Sequence, residues 1–380
     1  MKTPFDTEDR QAFRTTMRNF VAREITPSAD AWDEAGAVPW DLHAKIGALG
    51  VWGFGIDETY GGLGFDDCFM RAAYNEELAK CGAGGVSAAL NGRMISLDPI
   101  QRLANADIRA RVLPDVIAGR KGSSLGITEP SGGSDVAAMR TRAVRDGDHY
   151  VLNGEKTFIT GGMKSDYFVI GARTGGPGLG GISLFFVEAG MPGFTRTALS
   201  RKMGWWASDQ ATLHFDNCRV PAVNLMGEEN RGFLAIMENF NLERVALIAT
   251  ALGMMKVCLE DAIAWAQQRA TFGKPLIRHQ VIRHKIADMS MRIDATQALL
   301  NQICWAVNED TMPVAEISKA KVFATKALEF CASEAMQILG GAGYLRGCAI
   351  ERIYREVKVI AIGGGSEEIM RDLAVRQMGL

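Results

Sequence analysis

The chain has 380 residues, 47% of them hydrophobic, with 42 Lys and Arg against 44 Asp and Glu. That length predicts two or three packed subdomains, and the near-balance of charge argues against a nucleic-acid surface or a polybasic membrane patch. No uncharged apolar run reaches the ~20 residues of a membrane-spanning helix, so no membrane insertion is expected. The 7 cysteines are odd in number and contain no CxxC pair, which predicts reduced thiols in a cytoplasmic setting. Residues 1–10 are charged and lack the apolar centre of a secretory leader.

In chain order, residues 7–119 read as helical. Phe13, Met17, Phe20 and Val21 recur at helical spacing, and Leu42, Ile46, Leu49 and Val51 continue the rhythm. Glu58-Thr59-Tyr60-Gly61-Gly62-Leu63-Gly64 breaks it as a loop, and 68–80 resumes as a helix. The small-residue run 82–89 permits close packing or leaves room for a ligand. Over 124–232 the texture changes. Short β-rich runs at 149–153, 157–160, 167–172, 182–188 and 212–215 lie between glycine turns, with Asn153-Gly154 as a hairpin signal. The helical period then returns over 242–270, 281–308, 314–339, 346–360 and 367–377, with short links. This order is not a βαβ alternation, which argues against a doubly wound nucleotide-binding sheet. The predicted fold is α+β and multidomain: an N-terminal helical domain (1–122), a central antiparallel β domain forming a small barrel (123–232), and a C-terminal four-helix bundle (233–380).

Gly176-x-Gly178-x-x-Gly181 matches a dinucleotide fingerprint by letter, but the residues after it read as a strand and not the helix that such a motif must open. A plain hairpin loop is the better reading. His279 and His284 stand among Arg278, Arg283 and Lys285 with no acidic or thiol partners at ligand spacing, so no metal site is expected. Thr128-Glu129-Pro130-Ser131-Gly132-Gly133-Ser134-Asp135 has two readings: a nest of exposed backbone N–H groups and hydroxyls for a polar cofactor, or a tight Asx or Ser turn. Gly363-Gly364-Gly365 permits positive φ, Ser366 suits an N-cap, and Glu367 and Glu368 suit a first helical turn. Glu243, with Phe240 and Leu247 on its own face, is either an ordinary first-turn acid or a desolvated base.

These motifs resemble, in order and over nearly the whole chain, those of the acyl-CoA dehydrogenases. Thr-Glu-Pro-x-x-Gly-Ser-Asp is similar to that family's flavin loop, with Gly132 where Ala is usual. Phe158-Ile159-Thr160 resembles its Trp-Ile-Thr. Arg269-Ala270-Thr271-Phe272-Gly273-Lys274, followed by His279-Gln280, and Gln337-Ile338-Leu339-Gly340-Gly341 resemble two motifs that reach a neighbouring subunit's FAD. The resemblance implies FAD contacts at Leu125, Ile127, Thr128, Gly133, Ser134, Phe158, Thr160, Arg269, Phe272, Gln280, Gln337, Gly340, Gly341, Ser366 and Glu368. It implies substrate contacts at Ser134, Asn241, Arg244, Gly364 and Gly365.

Many members carry a catalytic Glu, preceded by Tyr, where this chain has Gly364 and Gly363. A minority, the isovaleryl and long-chain type, carries the base at the position matching Glu243. The resemblance therefore implies α,β-dehydrogenation of an acyl-CoA to the trans-2-enoyl-CoA with Glu243 as base, electrons passing to an electron-transfer flavoprotein, and a homotetramer. Two alternatives stay open: an enoyl-CoA reductase of the crotonobetainyl-CoA type, and a flavoprotein scaffold without a base. Side-chain volume at 82–89 and at Gly363-Gly364 predicts a roomy or branched-chain pocket.

Overall fold

The computed structural model describes residues 4–380; the first three residues of the N-terminal stretch considered above lie outside the described residues. Seven helices come first: α1 (Glu8–Phe20), α2 (Ala29–Ala35), α3 (Asp41–Gly47), α4 (Cys68–Ala79), α5 (Gly84–Asn91), α6 (Met94–Leu103) and α7 (Ala106–Ile117). A sheet follows, made of β1 (Ser123–Gly126), β2 (Arg142–Asp146), β3 (His149–Thr160), β4 (Tyr167–Arg173), β5 (Ile182–Glu188), β6 (Phe194–Ala198), β7 (Gln210–Pro221) and β8 (Leu225–Met226). Then come α8 (Gly232–Gln268), a small hairpin of β9 (Ala270–Thr271) and β10 (Lys274–Pro275), α9 (Gln280–Asn308), α10 (Val314–Leu339), α11 (Ala349–Ile362) and α12 (Glu367–Gln377).

The sheet is open, and the expected barrel does not form. Its order is β6-β7-β3-β2-β4-β5-β8, with β1 paired parallel to β4. Among the described residues, strand β6 pairs only β7, β8 pairs only β5, and β2 touches β4 at the single pair Arg142 and Arg173. Closure is unnecessary because both faces of β4 and β5 are already covered. Val169, Leu184 and Phe186 pack into the core shared with the N-terminal helices, while Phe168, Ile170, Phe185 and Val187 pack against β3, β6 and β7. That two-sided burial explains why β4 and β5 read as continuous apolar runs without alternation.

A second expectation also fails. Asn153-Gly154 is not a hairpin turn but lies inside β3, where Gly154 takes φ 141 and the register with β7 shifts between Leu152 and Gly154. The turn from β2 to β3 falls at Gly147 (φ 61) instead. The loop holding Gly176 and Gly178 does lead into β5, antiparallel to β4, as a hairpin connection.

The bundle is built around α10, which packs against α8, α9, α11 and α12. Helix α8 starts at Gly232, ten residues before the predicted 242. It also crosses α4 of the N-terminal domain at backbone contact, because a Cβ at Gly253 would lie 2.3 Å from the Glu76 carbonyl oxygen and 2.9 Å from the Ala79 Cβ. Charges on both helices surround this crossing. Glu76, 1% exposed, accepts from Lys256 Nζ at 2.6 Å and forms an ion pair with Arg14 at 2.8 Å. Among the described residues, no helix is long and apolar enough to cross a membrane. The crossing gives a clean test: Gly253→Ala has no room, so it should destabilise the protein by about 1–3 kcal/mol, read as a lowered melting temperature, while Ala251→Gly on the same helix should cost only about 1 kcal/mol by propensity plus its lost methyl packing.

Candidate active site

The early start of α8 changes the meaning of Glu243. It lies about three turns inside the helix, beyond the reach of the N-terminal dipole, so the first-turn reading fails. Glu243 is half-buried and makes no ion pair among the described residues. Burial pushes its carboxyl up to about 7, against the opposing pull of the Arg244 and Lys321 cations.

Both cations are engaged elsewhere. The Arg244 side chain, 5% exposed, donates from Nε to the Gly364 carbonyl at 2.9 Å and from Nη1 to Asn241 Oδ1 at 2.9 Å. Lys321, on α10 and 0% exposed, donates from Nζ to the carbonyls of Ala361 at 3.0 Å and Gly365 at 2.6 Å. Burial lowers the Lys321 ammonium to about 8. These carbonyls end α11 and form the glycine turn, so each cation also meets the negative end of a helix dipole. Gly364 and Gly365 hold φ 67 and φ 108. Their N–H groups have no hydrogen-bond acceptor among the described residues. Ser366 then caps α12, its Oγ accepting from the Ile369 N–H at 3.4 Å, and the first turn carries Glu367 and Glu368.

Gly84, Gly85 and Gly364 leave less room than predicted. A Cβ at Gly364 would lie 2.7 Å from Leu247 Cδ1, one turn along α8 from Glu243, so Leu247 occupies that corner. Gly84 and Gly85 abut the 205–207 backbone and the Trp205 ring, with notional Cβ contacts of 2.6–3.0 Å. The small residues there serve close packing, not a pocket.

On the β side, Leu125 is half-buried within the otherwise buried β1, and Ile127 is buried with its carbonyl accepting from Lys156 Nζ at 3.1 Å. The Thr128 carbonyl accepts from the Thr157 N–H at 2.8 Å, and the Thr160 carbonyl from Ser124 Oγ at 2.8 Å. Sequence reasoning missed the clamp behind this loop. Glu129 turns inward, taking Lys156 Nζ at 2.7 Å and the N–H groups of Arg140 and Thr141 at 2.6 and 2.8 Å. Lys156 stands between Glu155 and Thr157, so the sequence carried no local signal for it. Gly133 and Ser134 stay exposed. Beside them runs an open groove of about 780 Å³ lined by Asp135, Arg140, Arg142, Arg173 and the 175–178 loop.

Phe158 stands 66% exposed at φ 58. An aromatic ring held out of the core on left-handed backbone is costly, by about 1–3 kcal/mol, and such strain collects at ligand sites. It offers an apolar face to a flat ring system. The remaining predicted cofactor residues are not brought here. Arg269 ends α8 roughly 39 Å beyond Glu243 at 1.5 Å per residue. Phe272, 98% exposed, follows it, and Gln280, Gln337, Gly340 and Gly341 lie on the links and helix ends beyond. A Cβ at Gly340 or Gly341 would meet nothing within 4 Å.

Models of the acyl-CoA dehydrogenase N-terminal, middle and C-terminal domains match residues 7–120, 124–218 and 230–379. An acyl-CoA dehydrogenase of Bacillus subtilis (strain 168) is 36% identical over 366 residues, 96% of each chain. The crystal structure of a probable acyl CoA dehydrogenase from Mycobacterium abscessus shares 41% identity at a TM-score of 0.95, covering 98% of this chain and 99% of that one. A glutaryl-CoA dehydrogenase from Mycobacterium smegmatis, solved in complex with FADH2, shares 28% identity at a TM-score of 0.92, covering 98% and 95%. The chain belongs to the acyl-CoA dehydrogenase family. It is an FAD-dependent oxidoreductase acting on CH–CH bonds, and the exposed, strained Phe158 ring beside an open backbone loop fits a flavin.

The raised Glu243 carboxyl has a stability consequence of definite sign. Folded and unfolded chains both hold the proton below the ordinary value of 4.5, and the buried charge withdraws stability as pH climbs through about 7. Glu243→Gln should match the wild type near pH 4.5 and gain on it to roughly 3 kcal/mol above pH 7. Urea unfolding across that range checks it; a pH-independent difference would show that Glu243 does not titrate there.

Proposed function

We propose that the protein dehydrogenates an acyl-CoA thioester between Cα and Cβ to the trans-2-enoyl-CoA, with Glu243 as the base, in the branch that carries its base on the bundle helix. One observation carries this: a carboxyl raised to about 7 sits on the face of α8 that packs against a turn with no carboxylate at Gly364. A base with its pKa near the working pH combines a useful deprotonated fraction with proton affinity.

The α-proton of a thioester is weakly acidic and leaves only if the growing enolate oxygen meets preplaced donors. The Gly364 and Gly365 N–H groups are the donors that this turn leaves open, and Arg244 and Lys321 fix their backbone through its carbonyls. Asn241 orients Arg244. Ser134 and the arginine groove beside it suit the phosphates of coenzyme A. FAD, when bound, accepts the β-hydrogen as hydride.

Leu125, Ile127, Thr128, Gly133, Ser134, Phe158, Thr160, Ser366 and Glu368 would hold FAD from one copy. Arg269, Phe272, Gln280, Gln337, Gly340 and Gly341 are too far along α8 and α10 to join them in the same chain. A second copy would supply them, which favours the homotetramer; the exposed Phe272, Tyr344 and Leu345 at that end support an interface. Electrons would pass onward to an electron-transfer flavoprotein.

Glu243→Gln should retain the yellow cofactor and ligand binding while flavin reduction slows by about 10²–10⁴-fold. In the wild type kcat/KM should rise with pH and level off above about 7, as Glu243 loses its proton. Near-normal bleaching by acyl-CoA in the variant would remove Glu243 from the chemistry. Leu247 makes a further demand. Gly364→Glu in the Glu243→Gln background should restore little turnover, because the new side chain meets Leu247 on left-handed backbone. Adding Leu247→Ala should improve that rescue, measured by single-turnover flavin reduction.

A further inference from the structure

A second polar cavity, sharing no residue with the glycine turn, lies between α3, the α5–α6 junction and the β3–β4 loop. It measures about 30 Å³ and is lined by Trp40, His43, Arg93, Ser123, Lys164, Ser165 and Asp209, among others. Arg93 is 4% exposed. Its Nη1 donates to the carbonyls of Lys121 at 3.1 Å and Val116 at 3.4 Å, but among the described residues its Nε has no partner. The guanidinium lies over the Trp52 ring, 4.2 Å from its centroid.

A buried cation normally holds a carboxylate, and Arg93 does not. Asp166 is taken by Lys121 at 2.9 Å and by the Gly122 N–H at 3.0 Å. Asp209 accepts from the Met163 N–H at 2.7 Å. Lys164 stands exposed at the rim and adds a second positive charge. His43, 3% exposed, points its two ring nitrogens at the Trp40 and Ala89 carbonyls, at 3.2 and 3.4 Å. Burial and the nearby Arg93 cation hold its imidazole neutral, down at about 4. The cavity therefore combines a desolvated guanidinium, a second cation at its mouth and one committed carboxylate. Cation–π contact with Trp52 offsets only part of the cost of burying the charge.

We propose that this cavity binds one small monovalent inorganic anion, of halide size, against Arg93. A space of ~10–15 Å³ holds a water, so the volume admits a halide, and the positive surplus favours it over water alone. Bound there, the anion would tie the N-terminal helices to the loop after β3, where Ser165 and Ser124 share a 2.7 Å hydrogen bond next to the Thr160 carbonyl.

The test uses the FAD-loaded full chain, titrated with sodium chloride against sodium gluconate at constant ionic strength. The melting temperature should rise with the logarithm of chloride concentration above the dissociation constant, by several degrees over the titration, and a crystal soaked in bromide should show an anomalous peak at Arg93 Nε. Arg93→Leu should abolish the chloride increment. Lys164→Glu, at the exposed rim, should fold normally and weaken apparent chloride affinity several-fold, which keeps the test open if Arg93→Leu fails to fold. Equal stability in chloride and gluconate, an undiminished increment in Lys164→Glu, or a soaked cavity holding water alone would each overturn the site.

Discussion

The candidate active site depends on two buried cations gripping one glycine turn. Arg244 and Lys321 donate to the carbonyls of Gly364, Gly365 and Ala361 from two different helices. Charge-assisted hydrogen bonds of this kind contribute about 1.5–3 kcal/mol each, and a buried cation left without them would cost more. With its carbonyls held, the turn keeps its N–H groups open, and left-handed backbone at two successive positions leaves glycine as the residue that fits. The same two cations lower the cost of a neighbouring carboxylate without pairing with it. Glu243 is thereby left partly desolvated but still ionisable.

Helix α8 carries this arrangement because it belongs to two cores at once. Its start abuts β5, where a Cβ at Gly232 would lie 2.9 Å from the Ser183 carbonyl carbon, and its middle crosses α4 at Gly253. A side chain on α8 is therefore fixed against the sheet and the N-terminal helices as well as against the bundle. Elsewhere, Glu356 joins the same three layers. Its carboxylate oxygens, 1% exposed, accept from the Gly84 and Trp205 N–H groups at 2.7 and 2.8 Å. Burial and the nearby Asp33 charge push that carboxyl up to about 7. Domain contacts in this protein combine shared apolar cores with buried polar groups meeting backbone, where apolar packing alone would leave the relative orientation of the layers loosely specified.

Much of this was legible in the residues. The long amphipathic periods of the bundle gave α9, α10 and α12 nearly to the residue, and continuous apolar runs marked β4 and β5. What failed was what depends on pairing. Asn153-Gly154 carries a strong local turn preference, yet β7 pairs along both sides of it and absorbs the glycine as an irregularity within β3. The small residues at 84 and 85 look like vacancy in a sequence, because a sequence does not record that the 205–207 backbone fills the space. Glu129 and Lys156 are 27 positions apart, so nothing local announces that they meet.

The sequence alone determined the order of helical, β and helical segments, the family, and the absence of a carboxylate at Gly364 beside an available one at Glu243. The order follows from composition and period, and the family from the resemblance of motifs taken in sequence, all of which are properties of the chain read along itself. Only the tertiary structure decided that Glu243 lies deep within α8, that Leu247 fills the corner facing Gly364, and that Arg244 bonds the turn and not Glu243. Each of those turns on which groups approach across long stretches of sequence, and burial, with the pKa it imposes, is set by neighbours in space.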